Sequence, residues 1–199
     1  MIPDSIDNMI YCAEMIERAA HSMGWGSAPV LGSVSDLGGL GAGVKKFPVQ
    51  PAELIPTDPL SALRNIADLT LERTTDHRKL ITDAGMEGAG DALMALWFSC
   101  EAHLVPDGME HEGMRASENP AGKTIRHVII VDCGGYVFRV NRFRDEDPEL
   151  LITDPGDTDK ITYDREVLIA LRRLLLGLGA NMSTGAIDMD KVAQVGAGG

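Results

Sequence analysis

The feature that constrains this chain most is the run from Thr124 to Phe143, where two β-prone segments meet at a pair of glycines. Thr-Ile-Arg-His-Val-Ile-Ile-Val-Asp leads to Cys133, Gly134 and Gly135, and Tyr-Val-Phe-Arg-Val-Asn-Arg-Phe leads away. Paired glycines between such runs specify a β-hairpin, because glycine accepts the positive φ that tight turns require. A two-residue turn at Gly134-Gly135 sets Cys133 opposite Tyr136, Val131 opposite Phe138, Ile129 opposite Val140 and His127 opposite Arg142. In that register His127 and Arg142 share the face of Val131 and Phe138, while Arg126, Arg139 and Asn141 share the other with Val128, Ile130 and Val137. A hairpin alone is marginal in water, so the rest of the chain must supply strands and helices to cover it.

It has the material to do so. Apolar Ile6, Met9, Ile10, Ala13, Ile16 and Ala20 recur at helical spacing over residues 5–23, with Asp4 or Ser5 to cap the start and Gly24 to stop the helix. Trp25, just beyond, is expected to pack back on the core. Pro29–Val34 and Val44–Val49 read as weak strands around a glycine-rich segment, and Pro51–Pro59 as an irregular link. Asp58 before Pro59 suits a cap followed by proline at the first helical position, opening a helix to Glu72. Residues 74–90 read as loop. Asp91–Val105 is apolar enough for a buried helix or a long central strand, which periodicity cannot separate; the hairpin's need for neighbours favours the strand. Leu150–Thr153 adds a strand, residues 154–159 an acidic turn, and residues 163–177 a helix with Val167, Leu168, Leu171, Leu174 and Leu175 inward. The expectation is one α+β domain over residues 1–180, an antiparallel sheet with a central hairpin (124–143) packed by N-terminal and C-terminal helices. Residues 181–199, rich in glycine and small residues, read as a flexible tail.

With 30 acidic and 18 basic residues the formal net charge is −12. That balance argues against nucleic-acid binding, which relies on Lys and Arg neutralising phosphates. The start lacks a basic then apolar leader, and no uncharged apolar run approaches the ~18 residues of a membrane span. Cys12, Cys100 and Cys133 are widely separated and odd in number, as in reducing compartments. These features imply a cytoplasmic protein with neither a membrane nor a nucleic acid as partner.

Chemistry-bearing residues form no complete motif. Gly39, Gly41 and Gly43 precede Lys45 and Lys46, but Val44 intervenes and no hydroxyl follows, so neither lysine takes the phosphate-loop position. Cys100, Glu101 and His103 with Glu110, His111 and Glu112 are the densest set of metal-ligand types. On a strand, however, Cys100 and His103 point to opposite faces. The acidic residues from Asp145 to Asp159 lack the ordered ligand spacing and central glycine of a calcium loop. No cofactor is implied. The leading expectation is therefore a non-enzymatic protein-binding module, adaptor- or chaperone-like and able to dimerise, using Arg126, Tyr136, Arg139, Asn141 and Arg142 beside the Asp145–Glu149 turn. One alternative is a metal- or thiol-dependent enzyme using Cys100, His103 and His111; another is a phage-type inhibitor with an acidic surface mimicking nucleic acid.

Ser117-Glu118-Asn119-Pro120, Thr124-Ile125-Arg126, Val131-Asp132, Gly134-Gly135-Tyr136 and Arg142 with Asp147-Pro148-Glu149 resemble an uncharacterised family of small actinobacterial α+β proteins. The resemblance covers residues 91–177, with Ala102-His103 standing where that pattern has Gly-Trp. It implies the hairpin-centred architecture and carries no activity, cofactor or catalytic residue. The arrangement of terminal helices around an antiparallel sheet is also similar to small secretion-type and peptide-binding chaperones, a likeness of fold alone.

Overall fold

The computed structural model describes residues 3–37, 41–47, 50–55, 58–72, 93–105, 108–109, 114, 118–161 and 165–178. Six antiparallel strands form one sheet in the order β2-β1-β3-β4-β5-β6. They are β1 (Val30–Asp36), β2 (Ala42–Lys46), β3 (Leu93–Leu104), β4 (Lys123–Asp132), β5 (Val137–Phe143) and β6 (Glu149–Thr153). Helix α1 (Pro3–Ser22) lies on one face; α3 (Pro59–Glu72) and α4 (Arg165–Gly177) pair on the other, after a single-turn α2 (Pro51–Leu54). The α+β reading is thus the observed fold, with the N-terminal and C-terminal helices on opposite faces. No helix among the described residues is long and apolar enough to cross a membrane.

Residues 93–104 form the strand, and their two-sided apolarity has a structural cause. Trp97 and Ala95 pack toward α1, while Leu96 and Phe98 pack toward α3 and α4. β3 pairs with β1 on one side and with β4 on the other, so it is central in the sheet, and helices cover both of its faces. Met94 is skipped between the pairs Val34–Ala95 and Ser35–Leu93, a bulge that puts Leu93 on the α3–α4 side. At the start of α3, Asp58 accepts hydrogen bonds from the Ser61 amide (3.1 Å) and hydroxyl (2.5 Å). The Ser61 bonds hold the Asp58 carboxyl below the ordinary carboxylate range. Gln50 closes β1 where β2 has ended: its side-chain amide accepts from Leu31 N (2.9 Å) and donates to Leu31 O (3.0 Å), standing in for one residue of a neighbouring strand.

The hairpin forms, but in a different register. Val131 pairs with Val137, Ile130 with Phe138, His127 with Asn141 and Arg126 with Arg142. The loop holds three residues rather than two. Asp132 O accepts from Gly135 N (3.1 Å), Asp132 N donates to Tyr136 O (3.1 Å), and Gly135 takes a φ of 89°. That is a type I turn followed by a left-handed residue, a common three-residue hairpin connection. The Asp132 side chain accepts from Tyr136 N at 2.8 Å and locks the wider loop. One extra residue moves the β5 side chains to the other face from that expected: Phe138 and Arg142 join Arg126 on the α1 side, whereas Arg139 and Asn141 join His127 and Val131 on the opposite face.

Two smaller expectations also change. The Pro51–Pro59 link contains the single helical turn of α2, and the acidic turn is a 3-10 helix over Pro155–Lys160. Residues 74–90, His111 and the 181–199 tail lie outside the described residues.

Candidate functional site

The five residues expected to meet a partner do not converge. Arg126 is only 1% exposed. Its guanidinium donates to Glu101 (2.8 Å), directly opposite on β3, and to the Gly24 carbonyl, and lies 4.5 Å from the Trp25 ring centre. Glu101 in turn accepts from Gly26 N at 2.7 Å. Gly24 and Gly26, with φ of 85° and 88°, let the chain after α1 fold around this ion pair. Arg142 forms a bidentate pair with Glu17 of α1, at 2.5 and 2.9 Å. The Glu17 bonds raise the Arg142 pKa, so it stays charged. Both arginines therefore bind the molecule to itself. Tyr136 is half-buried near Phe138, with ring centres 6.4 Å apart. Asn141 lies on the other face, 2.9 Å from His127 Nδ1, and Arg139 is half-buried beside it.

The ligand-type residues are likewise dispersed. Cys100 is half-buried and packs toward α3 and α4, while His103 sits 3.4 Å from the Thr124 hydroxyl near the sheet end. Among the described residues no group of three His, Cys, Asp or Glu side chains could hold a metal ion. Burial raises the thiols of Cys12 and Cys133, the latter to about 12, so both stay protonated at neutral pH. Asp132 is pushed up to about 6 by burial, against the opposing pull of the turn amides it accepts from. Asp145, Glu146 and Asp147 are exposed in the turn between β5 and β6, and Glu149, also exposed, opens β6.

Two surface features follow from the tertiary arrangement. The first is the outer edge of β6, against which no strand pairs among the described residues. β6 reads Glu-Leu-Leu-Ile-Thr, and Ile152 is 44% exposed. The second is a cleft of about 270 Å³ between the C-terminal half of α1 and the sheet, lined by Met15, Ala19, Met23, Val44, Trp97 and Arg126 among others. Ala19 and Ala20 of α1 border it, and on its sheet side Trp97 packs against Gly32, its partner across the β1–β3 pairing. A Cβ at Gly32 would overlap both the Trp97 indole and the Lys45 carbonyl. The cleft crosses from β2 to β4, three strand spacings or roughly 14 Å. Trp97, Gly32 and Glu17 carry no sequence signal as site residues, since their significance lies in pairings between distant segments. Comparison with protein-family models, curated proteins and solved structures gave no match.

Proposed function

We propose that the protein is a non-enzymatic protein-binding module, adaptor- or chaperone-like, that receives an extended segment of its partner along the edge of β6. The contrast between the two sheet edges carries this reading. Natural sheets guard their edges with lysine, proline or bulges, because unpaired N–H and C=O groups template further pairing. β2 ends in exposed Lys45 and Lys46. β6 has neither lysine nor proline and presents an exposed Ile152. An added strand would satisfy the outer backbone groups and bury the apolar side chains on alternate positions. The acidic turn at residues 145–149 favours a partner segment flanked by Lys or Arg. A net charge of −12 opposes pairing two copies edge to edge.

The test is Ile152→Lys, which restores a guarding charge at an exposed position. Wild-type protein should recover a partner that the variant does not, with the two unfolding at the same urea midpoint. Equal recovery by both proteins would sink the reading. A dimer seen by light scattering and abolished by the same substitution would assign the edge to a second copy of the chain.

A further inference from the structure

We propose that the edge of β6 takes its guest in a single frame: an antiparallel strand with two apolar residues, two positions apart, opposite Ile152 and Leu150, and with Lys or Arg beyond them at each end. The inference rests on the edge reading above and names the kind of segment that fits it. The frame follows from hydrogen-bond alternation across three strands. Asp132 N donates to Tyr136 O and Arg144 N to Thr124 O, both at 3.1 Å, so the even-numbered residues of β5 direct their backbone groups to β4. Arg139 and Asn141 then direct theirs to Leu151 and Glu149, their partners on β6. Leu150 and Ile152 therefore point their N–H and C=O groups outward. Beyond them the edge closes: Pro148 has no N–H, and Asp154 O already accepts from Asp157 N at 3.0 Å.

The same alternation fixes which side chains of the guest matter. Leu150 and Ile152 pair with Val140 and Phe138, so their side chains lie on the α1 face of the sheet. Guest residues directly opposite them in an antiparallel pair share that face. Ile152 is 44% exposed there. Beside Leu150 a cavity of about 250 Å³ opens, lined by Val140, Pro148 and Leu150 and by Glu14 and Arg18 of α1, among others. Glu14 and Arg18 lie 3.9 Å apart and balance each other, as do Glu17 and Arg142, so the cavity suits an apolar side chain rather than a charged one. Charge acts instead at the two ends. Asp145, Glu146, Asp147 and Glu149 are exposed before the outward pair, and Asp154 and Asp157 after it. Lys123 engages Glu146, which still leaves carboxylates in excess before the edge. A second copy of the chain in this frame would set carboxylates against carboxylates at both ends, whereas a guest with basic ends meets opposite charge.

The probe is the peptide acetyl-Lys-Lys-Thr-Val-Thr-Val-Thr-Lys-Lys-amide, titrated into the full chain while the backbone amide resonances are followed by NMR. The Leu150 and Ile152 amides should shift saturably, and Ile152→Lys should abolish the binding. In the proposed frame both valines turn their N–H groups to β6, and the central threonine turns its own to solvent. N-methylation of a valine should therefore weaken binding at least about tenfold, and N-methylation of the central threonine by less than about twofold. Replacing the four lysines by glutamates should also weaken binding at least about tenfold. The failures are distinguishable. If the parent peptide binds and is lost with Ile152→Lys, but the threonine methyl harms and the valine methyls do not, the frame is wrong while the edge still receives a strand. Equal binding of the glutamate peptide overturns the requirement for basic ends. No binding of the parent peptide, binding that survives Ile152→Lys, or a dimer of the chain that excludes the peptide overturns the inference together with the edge reading beneath it.

Discussion

Asp132 shows how one side chain can determine a turn. Its carboxylate accepts from Tyr136 N and its carbonyl from Gly135 N, so the loop closes over three residues instead of two. The carboxyl is buried to 3% exposure, and this burial outweighs the amides that favour its ionised form. Its pKa accordingly stands at about 6 rather than 3.8. Below the unfolded value the carboxyl is neutral in both states. Between the two values the folded chain retains a proton that the unfolded chain has released, so Asp132 loses stability for the fold as pH rises from about 4 to about 6. Asp132→Asn keeps an acceptor for Tyr136 N and cannot ionise. The stability difference between variant and wild type should therefore shift in the variant's favour across that window, by up to about 3 kcal/mol. Urea midpoints of both proteins at several pH values measure it; a pH-independent difference would refute the assignment.

At the scale of elements, α1 is held to the sheet by an apolar stripe and by the Glu17–Arg142 ion pair, on the same sheet face as the Arg126–Glu101 pair between β4 and β3. Met9, Cys12, Ala13 and Ile16 pack on Val128, Ile130, Phe138 and Val140. Arg126 and Arg142 lie directly opposite each other on β4 and β5, a like-charge pairing that is unfavourable unless each has its own counter-ion. Glu101 from β3 and Glu17 from α1 meet that need. Glu17 is 1% exposed and its partner 13%, so removing one member strands a charge in a poorly solvated place. Glu17→Ala should cost about 3 kcal/mol in chemical denaturation, whereas a double replacement, Glu17→Leu with Arg142→Met, should recover most of that loss. If the double variant is no better than the single one, α1 is held by the ion pair rather than by its apolar stripe.

For the whole molecule, the balance of charge sets a different sensitivity. Exposed pairs such as Arg18–Glu14 and Lys123–Glu146 contribute little, since water and salt screen them. Repulsion among the excess carboxylates of a chain at −12 is the larger electrostatic effect. Raising sodium chloride from low to moderate concentration should therefore increase the urea midpoint. A midpoint that falls with salt would mean that attractive surface pairs dominate instead.

Spacing and turn chemistry made most of the elements legible before any tertiary contact was known. The stripe from Ile6 to Ala20, the Asp58-Pro59 helix start, the strand pattern around the Gly134-Gly135 turn and the Val167–Leu175 stripe all rest on residues close in sequence. Such neighbours express their preference whatever surrounds them. The pairing parity of the hairpin was not legible, because it depends on whether a carboxylate reaches back to close a wider loop. That single residue decided that Arg142 turns inward to α1, on the same face as Arg126. Residues 93–104 resolved as a strand only through partners on both sides, since apolarity on every face fits a buried helix equally well. The cleft brings Ala19 and Ala20 of α1 to Trp97 and its strand partner Gly32. Contacts of that kind join segments far apart in the chain, and their geometry exists only once the sheet and the helix have come together.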